Sequence, residues 1–198
     1  MTLTLFDRPP TPSTQQKCRG FTLIELMIAL TGGLLILLGL LNIFSLGNRA
    51  ITQGGRLAEI TQNGRIALER MSRELRQAEE LVVALPETST VPAHEIQFQD
   101  GHDPTSLTYI RYYLSGNALH REVFYYSRSA APTIHVHFQD INPDGSPATK
   151  TITEDTVIAE YIATLSLWGN QLINISLTVV EGATSSTLTT ILYGRNLH

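Results

Sequence analysis

The pattern of apolar and polar positions changes period twice along the chain. In residues 1–20 the apolar side chains Leu3, Leu5 and Phe6 are scattered among Thr, Asp and Pro, with no apolar core. Residues 21–46 are apolar almost throughout, and Glu25 is their only charge. From there the apolar positions thin to one stripe. Leu57, Ile60, Gly64, Ala67, Leu68, Met71, Leu75 and Ala78 recur at mostly three- and four-residue steps, which predicts one buried helix face. Glu59, Gln62, Asn63, Glu69, Arg70, Arg73, Glu74 and Gln77 lie opposite, with Glu69–Arg73 and Arg70–Glu74 spaced for i,i+4 pairs. The pattern predicts an amphipathic helix over residues 47–84, and Gly54-Gly55 marks a weak point between its two halves. Beyond residue 85 the period falls to two. Strands are predicted near 95–99, 107–114, 118–126, 133–138, 172–180 and 188–193, with Gly116-Asn117 as a two-residue hairpin turn. The expected fold class is therefore α+β: a long N-terminal helix, then an antiparallel β-rich domain over residues 85–198.

A helix over 21–46 rises about 39 Å at about 1.5 Å per residue. That exceeds the ~30 Å hydrocarbon core, so residues 21–46 are expected to cross a membrane once, with tilt. A carboxylate such as Glu25 is costly inside such a span and calls for a partner. Gly32, Gly33 and Gly39 allow neighbouring helices to approach closely. Arg8, Lys17 and Arg19 precede the span and Arg49 and Arg56 follow it, a modest bias that puts the N-terminus in the cytoplasm. The leader lacks the apolar core of an ordinary secretory signal, and its one small-residue site, Gly20, lies before the apolar run. Cleavage after Gly20 would keep the helix and expose a new amine on Phe21.

The segment Lys17-Cys-Arg-Gly-Phe-Thr-Leu-Ile-Glu-Leu-Met-Ile-Ala-Leu30 resembles the class III signal of type IV pilins and type II secretion pseudopilins. The resemblance implies that residues 1–20 are a leader removed by a prepilin peptidase cutting after Gly20. It implies that the same enzyme methylates Phe21, and that Glu25 is the family's assembly glutamate. The α-amino group of Phe21, with an ordinary pKa of about 7.7–8.0, is then a cation that a neighbouring subunit's Glu25 can pair with. Such a pair offsets the desolvation each charge suffers alone and fixes axial register between helices. The stretch Gln62-Asn-Gly-Arg-Ile-Ala-Leu-Glu-Arg-Met-Ser-Arg-Glu-Leu-Arg-Gln-Ala78 is similar to the helix of PilW-type minor pilins, with Ile66 and Glu79 as departures. J-type pseudopilins share its later part, and the hairpin around Gly116-Asn117 and the Gly194-Arg195-Asn196 tail resemble both groups. No proline falls between Phe21 and Leu85, unlike many major pilins. The implied protein is a non-enzymatic minor pilin that primes or caps a filament. It would sit in a bacterial inner membrane with a periplasmic C-terminal domain, or be incorporated in the pilus. Its implied partners are the peptidase and other minor pilins or pseudopilins. A J-type pseudopilin and a membrane-tethered adhesin or binding module are the alternatives.

Composition narrows the classes. The formal net charge is −4, and removing the leader's Arg8, Lys17, Arg19 and Asp7 leaves −6. That balance disfavours a basic nucleic-acid grip. The single cysteine, Cys18, lies in the leader, so the domain has no disulfide, cysteine catalysis or cysteine metal site. No serine elbow, zincin helix or phosphate loop is present. No catalytic residue, small-molecule substrate, cofactor or metal is expected. Three weaker signals remain. His135 and His137, two apart on a predicted strand, would share a face as a surface pair or as two metal ligands. Asp140-Ile-Asn-Pro-Asp-Gly145 matches the first half of a calcium loop, but Thr151 stands where a bidentate Glu is needed. Glu154 or Asp155 would have to substitute, and a plain turn is the default. Trp168 is expected as a core or edge anchor.

Overall fold

A computed structural model describes residues 20–102 and 106–194. One α-helix, α1, runs from Leu23 to Gln77, and eight strands follow. The chain divides into two compact units, one ending at Ala50 and one beginning at Ile51. The architecture is the expected α+β pilin-like one, a long N-terminal helix, apolar in its first half, whose second half packs on antiparallel sheets.

The second unit begins inside α1. Ile60, Gly64, Ala67, Leu68, Met71 and Leu75 of the stripe are buried. Leu57, at the stripe's start, is 36% exposed. The helix was expected to reach residue 84 but stops at Gln77, because the next residues find better main-chain partners. Ala78 N–H closes the last turn on Leu75 O at 3.3 Å. Glu79 N–H then donates to Gln99 O (3.2 Å), Gln99 N–H to Glu80 O (2.8 Å) and Val82 N–H to Gln97 O (2.9 Å). Residues 79–82 thereby cover one edge of the first strand. Gly101 permits this close turn, since a Cβ there would sit 2.2 Å from Gln77 O.

The first sheet contains β1 (Glu95–Gln99), β2 (Tyr109–Ser115), β3 (Ala118–Arg128), β4 (Ala131–Val136) and β5 (Thr149–Glu160). β1, β2 and β3 pair in sequence order. β2 takes residues up to Phe124 of β3, and β4 takes Tyr126 to Arg128. β5 pairs along Ala118 to Ser127 of β3. The turn between β2 and β3 has a positive φ at Gly116 (60°) and none at Asn117, the pattern of a type II′ hairpin. The second sheet is the antiparallel meander of β6 (Ile162–Trp168), β7 (Leu172–Glu181) and β8 (Thr184–Tyr193). Reciprocal bonds of 2.9 Å between Ala93 and Leu167 tie β6 to the chain entering β1. The chain passes from β5 to β6 through Tyr161, whose φ of 63° is strained for a residue with a Cβ.

Both sheets turn a face to the helix stripe. Ile96, Phe98, Ile110, Tyr112 and Leu119 of the first sheet share one core with Leu165, Leu167, Ile175, Leu177 and Val179 of the second. Gly64 lets α1 approach the second sheet, since a Cβ there would lie 2.7 Å from Leu188 Cδ1 and 2.9 Å from Val179 Cγ1. A separate aromatic cluster forms on the other face of the first sheet. Tyr109 stacks on Phe124 at 5.7 Å and meets Tyr126 edge-on at 5.1 Å and Phe138 at 6.1 Å.

Two strands, β5 and β6, fall outside the alternating segments of the sequence. β5 is an edge strand with only Ala159 buried, so both its faces are wet and no alternation marks it. In β6 a register shift between Ile162 and Thr164 puts buried Ile162 and Leu165 three residues apart, which hides the period of two.

Candidate functional site

The head of α1 is built around Thr22 and Glu25. Thr22 precedes the first helical residue and serves as its cap. Glu25 N–H donates to Thr22 Oγ1 at 3.3 Å. Thr22 N–H and Thr22 Oγ1–H both donate to Glu25 Oε2 at 2.9 Å. This is a capping box, Thr-x-x-Glu, in which side chain and backbone satisfy each other reciprocally. The spacing is readable in the sequence, although there the carboxylate stands out first as an isolated charge. Gly20 and Phe21 lie just before the cap, and Phe21 is 86% exposed. The leader up to residue 19, including Lys17 and Cys18, lies outside the described residues, as do residues 103–105 and the tail from Arg195.

The apolar half of α1 offers its side chains outward. Every Phe, Leu, Ile and Met from Phe21 to Leu46 is exposed. Gly32, Gly33 and Gly39 have nothing within 4 Å of where a Cβ would stand. Thr31, the hydroxyl deepest in the run, is satisfied within the helix, donating to Met27 O and Ile28 O at 3.0 Å. Among the described residues, α1 is the one helix long and apolar enough to cross a membrane.

The structure separates the other candidates. β4 ends at Val136, so His137 lies beyond the strand and the two histidines do not pair. His135 stacks on Tyr125 at 4.1 Å and is 3.2 Å from Ser106 Oγ. His137 contacts Glu80 Oε2 at 2.9 Å and tilts against Phe138. The acidic loop is a turn tied down by its own side chains. Buried Asn142 accepts from Ser129 N–H (2.8 Å) and donates to Ser146 Oγ (3.0 Å) and Pro147 O (2.7 Å). Asp140 accepts from Arg128 at 3.1 Å and Asp144 from Ser146 N–H at 3.0 Å. Glu154 lies 3.7 Å from Arg121, and Asp155 bonds His120 and Tyr113. The His120 contact lowers the Asp155 pKa. Among the described residues no three His, Cys, Asp or Glu side chains are placed to hold one metal ion. Trp168 closes β6, half-buried, opposite Asn174.

One polar cluster was not anticipated. Glu74, assigned to the solvent face, is 16% exposed and gathers three donors. Tyr112 Oη–H donates to it at 2.6 Å, Arg121 Nε–H at 3.0 Å and Arg70 Nε–H at 3.3 Å. Burial, then the Glu74 contact, holds the Tyr112 hydroxyl protonated far above its usual range. Burial opposes the charge on Arg121, but Glu74 outweighs it and the pKa is raised. On the opposite sheet face Lys150 pairs with buried Glu122 and lies 4.0 Å from the Phe124 ring centroid. These contacts lock α1 and β5 to the first sheet.

Comparison with known proteins agrees with the head of the helix. A family model described as the prokaryotic N-terminal methylation motif matches residues 15–41. The match spans Gly20, Phe21 and Glu25 and supports a place among type IV pilins and pseudopilins. Such a motif implies processing by a prepilin peptidase, anchoring in a membrane and assembly with other pilins; proteins that carry it are structural. No curated protein matches the chain. No solved structure matches it either.

Proposed function

We propose that this chain is a minor pilin of the PilW type, an assembly subunit that joins other minor pilins to prime or cap a type IV pilus. One observation carries the reading. The same helix is sealed into its own domain from Ile60 onward, yet from Phe21 to Leu46 it exposes every large apolar side chain behind a capped glutamate. A helix of that kind suits lateral packing in lipid against equivalent helices, where small residues and polar contacts drive association. In this reading the peptidase cuts after Gly20 and methylates Phe21. The domain is periplasmic, and the Phe21 amine of one subunit meets Glu25 of its neighbour. Tip pseudopilins that cap a complex lack the need for this glutamate, so its presence favours a position with another subunit beyond.

N-terminal mass spectrometry of the membrane fraction tests the processing. The expected mature terminus is N-methyl-Phe21, and an unmethylated terminus at any other residue overturns the reading. Deletion tests the system served. Loss of surface pili with secretion intact is expected, whereas loss of type II secretion with pili intact assigns the chain to the J-type pseudopilins.

A further inference from the structure

We infer that the groove between α1 and the outer edge of β8 is a docking site for an acidic, extended segment of a neighbouring subunit, which adds to β8 as a further strand. The inference rests on the subunit reading above for its partner and on three features of the domain for its chemistry.

First, β8 pairs only with β7, over an unbroken register from Leu172↔Tyr193 to Glu181↔Thr184. Its other edge takes no strand among the described residues. Natural edges are usually blunted by charges, proline or a bulge. The β8 sequence Thr-Ser-Ser-Thr-Leu-Thr-Thr-Ile-Leu-Tyr has none of these. The other long outer edge, β5, carries Glu154, Asp155 and Glu160 and would repel an acidic strand.

Second, the wall of the groove is basic. Arg65, Glu69, Arg73 and Arg76 of α1 face Thr189 and Thr190 of β8 across a groove of about 750 Å³. Third, these arginines are the unpaired ones. From Ile51 onward, Arg56, Arg70, Arg111, Arg121 and Arg128 each have a carboxylate partner. Arg65, Arg73 and Arg76 have none among the described residues, and all three line this one groove. In a domain of negative charge, these three guanidiniums outnumber the groove's one carboxylate among the described residues, Glu69, and beside a bare strand edge they call for more. Arg65 and Arg73 are eight residues apart, about 12 Å along a helix. Carboxylates at i and i+4 of a strand are about 13 Å apart, so one face of an added strand reaches both. Main-chain bonds would supply affinity and the arginines register, the division of labour in strand addition.

The test uses the full chain in detergent micelles, with empty micelles as the blank. The probe is a fluorescein-labelled ten-residue peptide alternating valine and glutamate, read by fluorescence polarisation. Saturable binding is expected. The lysine counterpart should not bind, and Arg73→Glu with Arg76→Glu should weaken binding on the order of tenfold. Both arginines are exposed, so the melting temperature should not move. A peptide N-methylated at alternate main-chain nitrogens should lose binding. If it binds equally well, the attraction is only ionic and strand addition is wrong. If single-stranded oligothymidylate binds more tightly with the same arginine dependence, the groove serves nucleic acid and the inference falls. Absence of peptide binding overturns it even if deletion abolishes pili, while loss of the pilus reading with peptide binding intact leaves the groove standing.

Discussion

The two halves of α1 share one backbone and differ in what they do with apolar side chains. From Phe21 to Leu46 all the large ones are exposed; from Ile60 to Leu75 the stripe is buried in the molecule's own core. The first half has an apolar surface on every side, whereas the second concentrates it on one face and surrounds it with charge. Burial within the chain therefore accounts for the stripe of the second half. Nothing among the described residues covers the first, a surface that suits lipid or another helix.

The sharpest way to break this contrast is to truncate one leucine in each half. Leu75 is fully buried among both sheets, so Leu75→Ala is expected to destabilise the domain by about 2–5 kcal/mol through lost burial and a cavity. Leu35→Ala removes an exposed side chain and is expected to leave domain unfolding unchanged. Thermal melting of the full chain in detergent, followed by near-ultraviolet circular dichroism, distinguishes them. Equal losses would show that the two halves unfold as one.

The next test concerns what α1 does beside its apolar stripe. Glu74→Ala leaves the Tyr112 hydroxyl without its acceptor and Arg121, 12% exposed, with only the more distant Glu154 at 3.7 Å. A loss of about 3 kcal/mol is expected, the usual scale for unpairing a buried charge. Glu69→Ala, whose carboxylate has no partner among the described residues, should change stability by less than about 0.5 kcal/mol. Similar effects at both positions would mean that the Glu74 cluster is only surface charge.

These two glutamates show how far the sequence could be read. The stripe was legible because burial against a sheet imposes the helix period on the residues themselves. The polar face was not, because Glu69 and Glu74 look alike until the fold brings Tyr112 and Arg121, 38 and 47 residues away from Glu74, to one of them. Likewise the segment 79–82 has no helix-stopping residue, and only the waiting edge of β1 takes it out of the helix. The head of the helix was the most legible part, since Gly20, Phe21, Thr22 and Glu25 act through adjacent positions. The histidines misled because their shared face assumed a strand that ends at Val136.

The far face of the first sheet supplies a milder test, by pH. Burial first of all pushes the Tyr109 phenol up to about 12, partly opposed by the Phe138 N–H it accepts. Below the ordinary tyrosine pKa of about 10 both folded and unfolded forms are neutral and the contribution is fully present. Above it the unfolded chain ionises first, so stability is lost as pH rises from about 10 towards 12. Melting at about pH 9 and about pH 11, on either side of that ordinary value, should show the decline, and Tyr109→Phe should lessen it, with Tyr112 contributing the rest. A decline of the same size in Tyr109→Phe would place its origin elsewhere, with Tyr112 the next group to replace.

The smallest effect on the isolated molecule falls on the residue that should matter most to assembly. Glu25 is fully exposed, and among the described residues its side-chain contacts are to Thr22 alone. Glutamine also closes a capping box, so Glu25→Gln keeps an acceptor for Thr22 N–H and removes only the charge. Helix content, membrane insertion and domain melting are all expected to match the unaltered chain. Glu25→Ala removes both cap and charge and should fray the first turn as well. If the exposed half of α1 is an interface keyed by charge, both variants fail to enter filaments or the minor-pilin complex, and Gln fails as badly as Ala. If Gln assembles normally while Ala does not, the glutamate serves to start its own helix, and the proposed pairing with the neighbouring Phe21 amine is wrong.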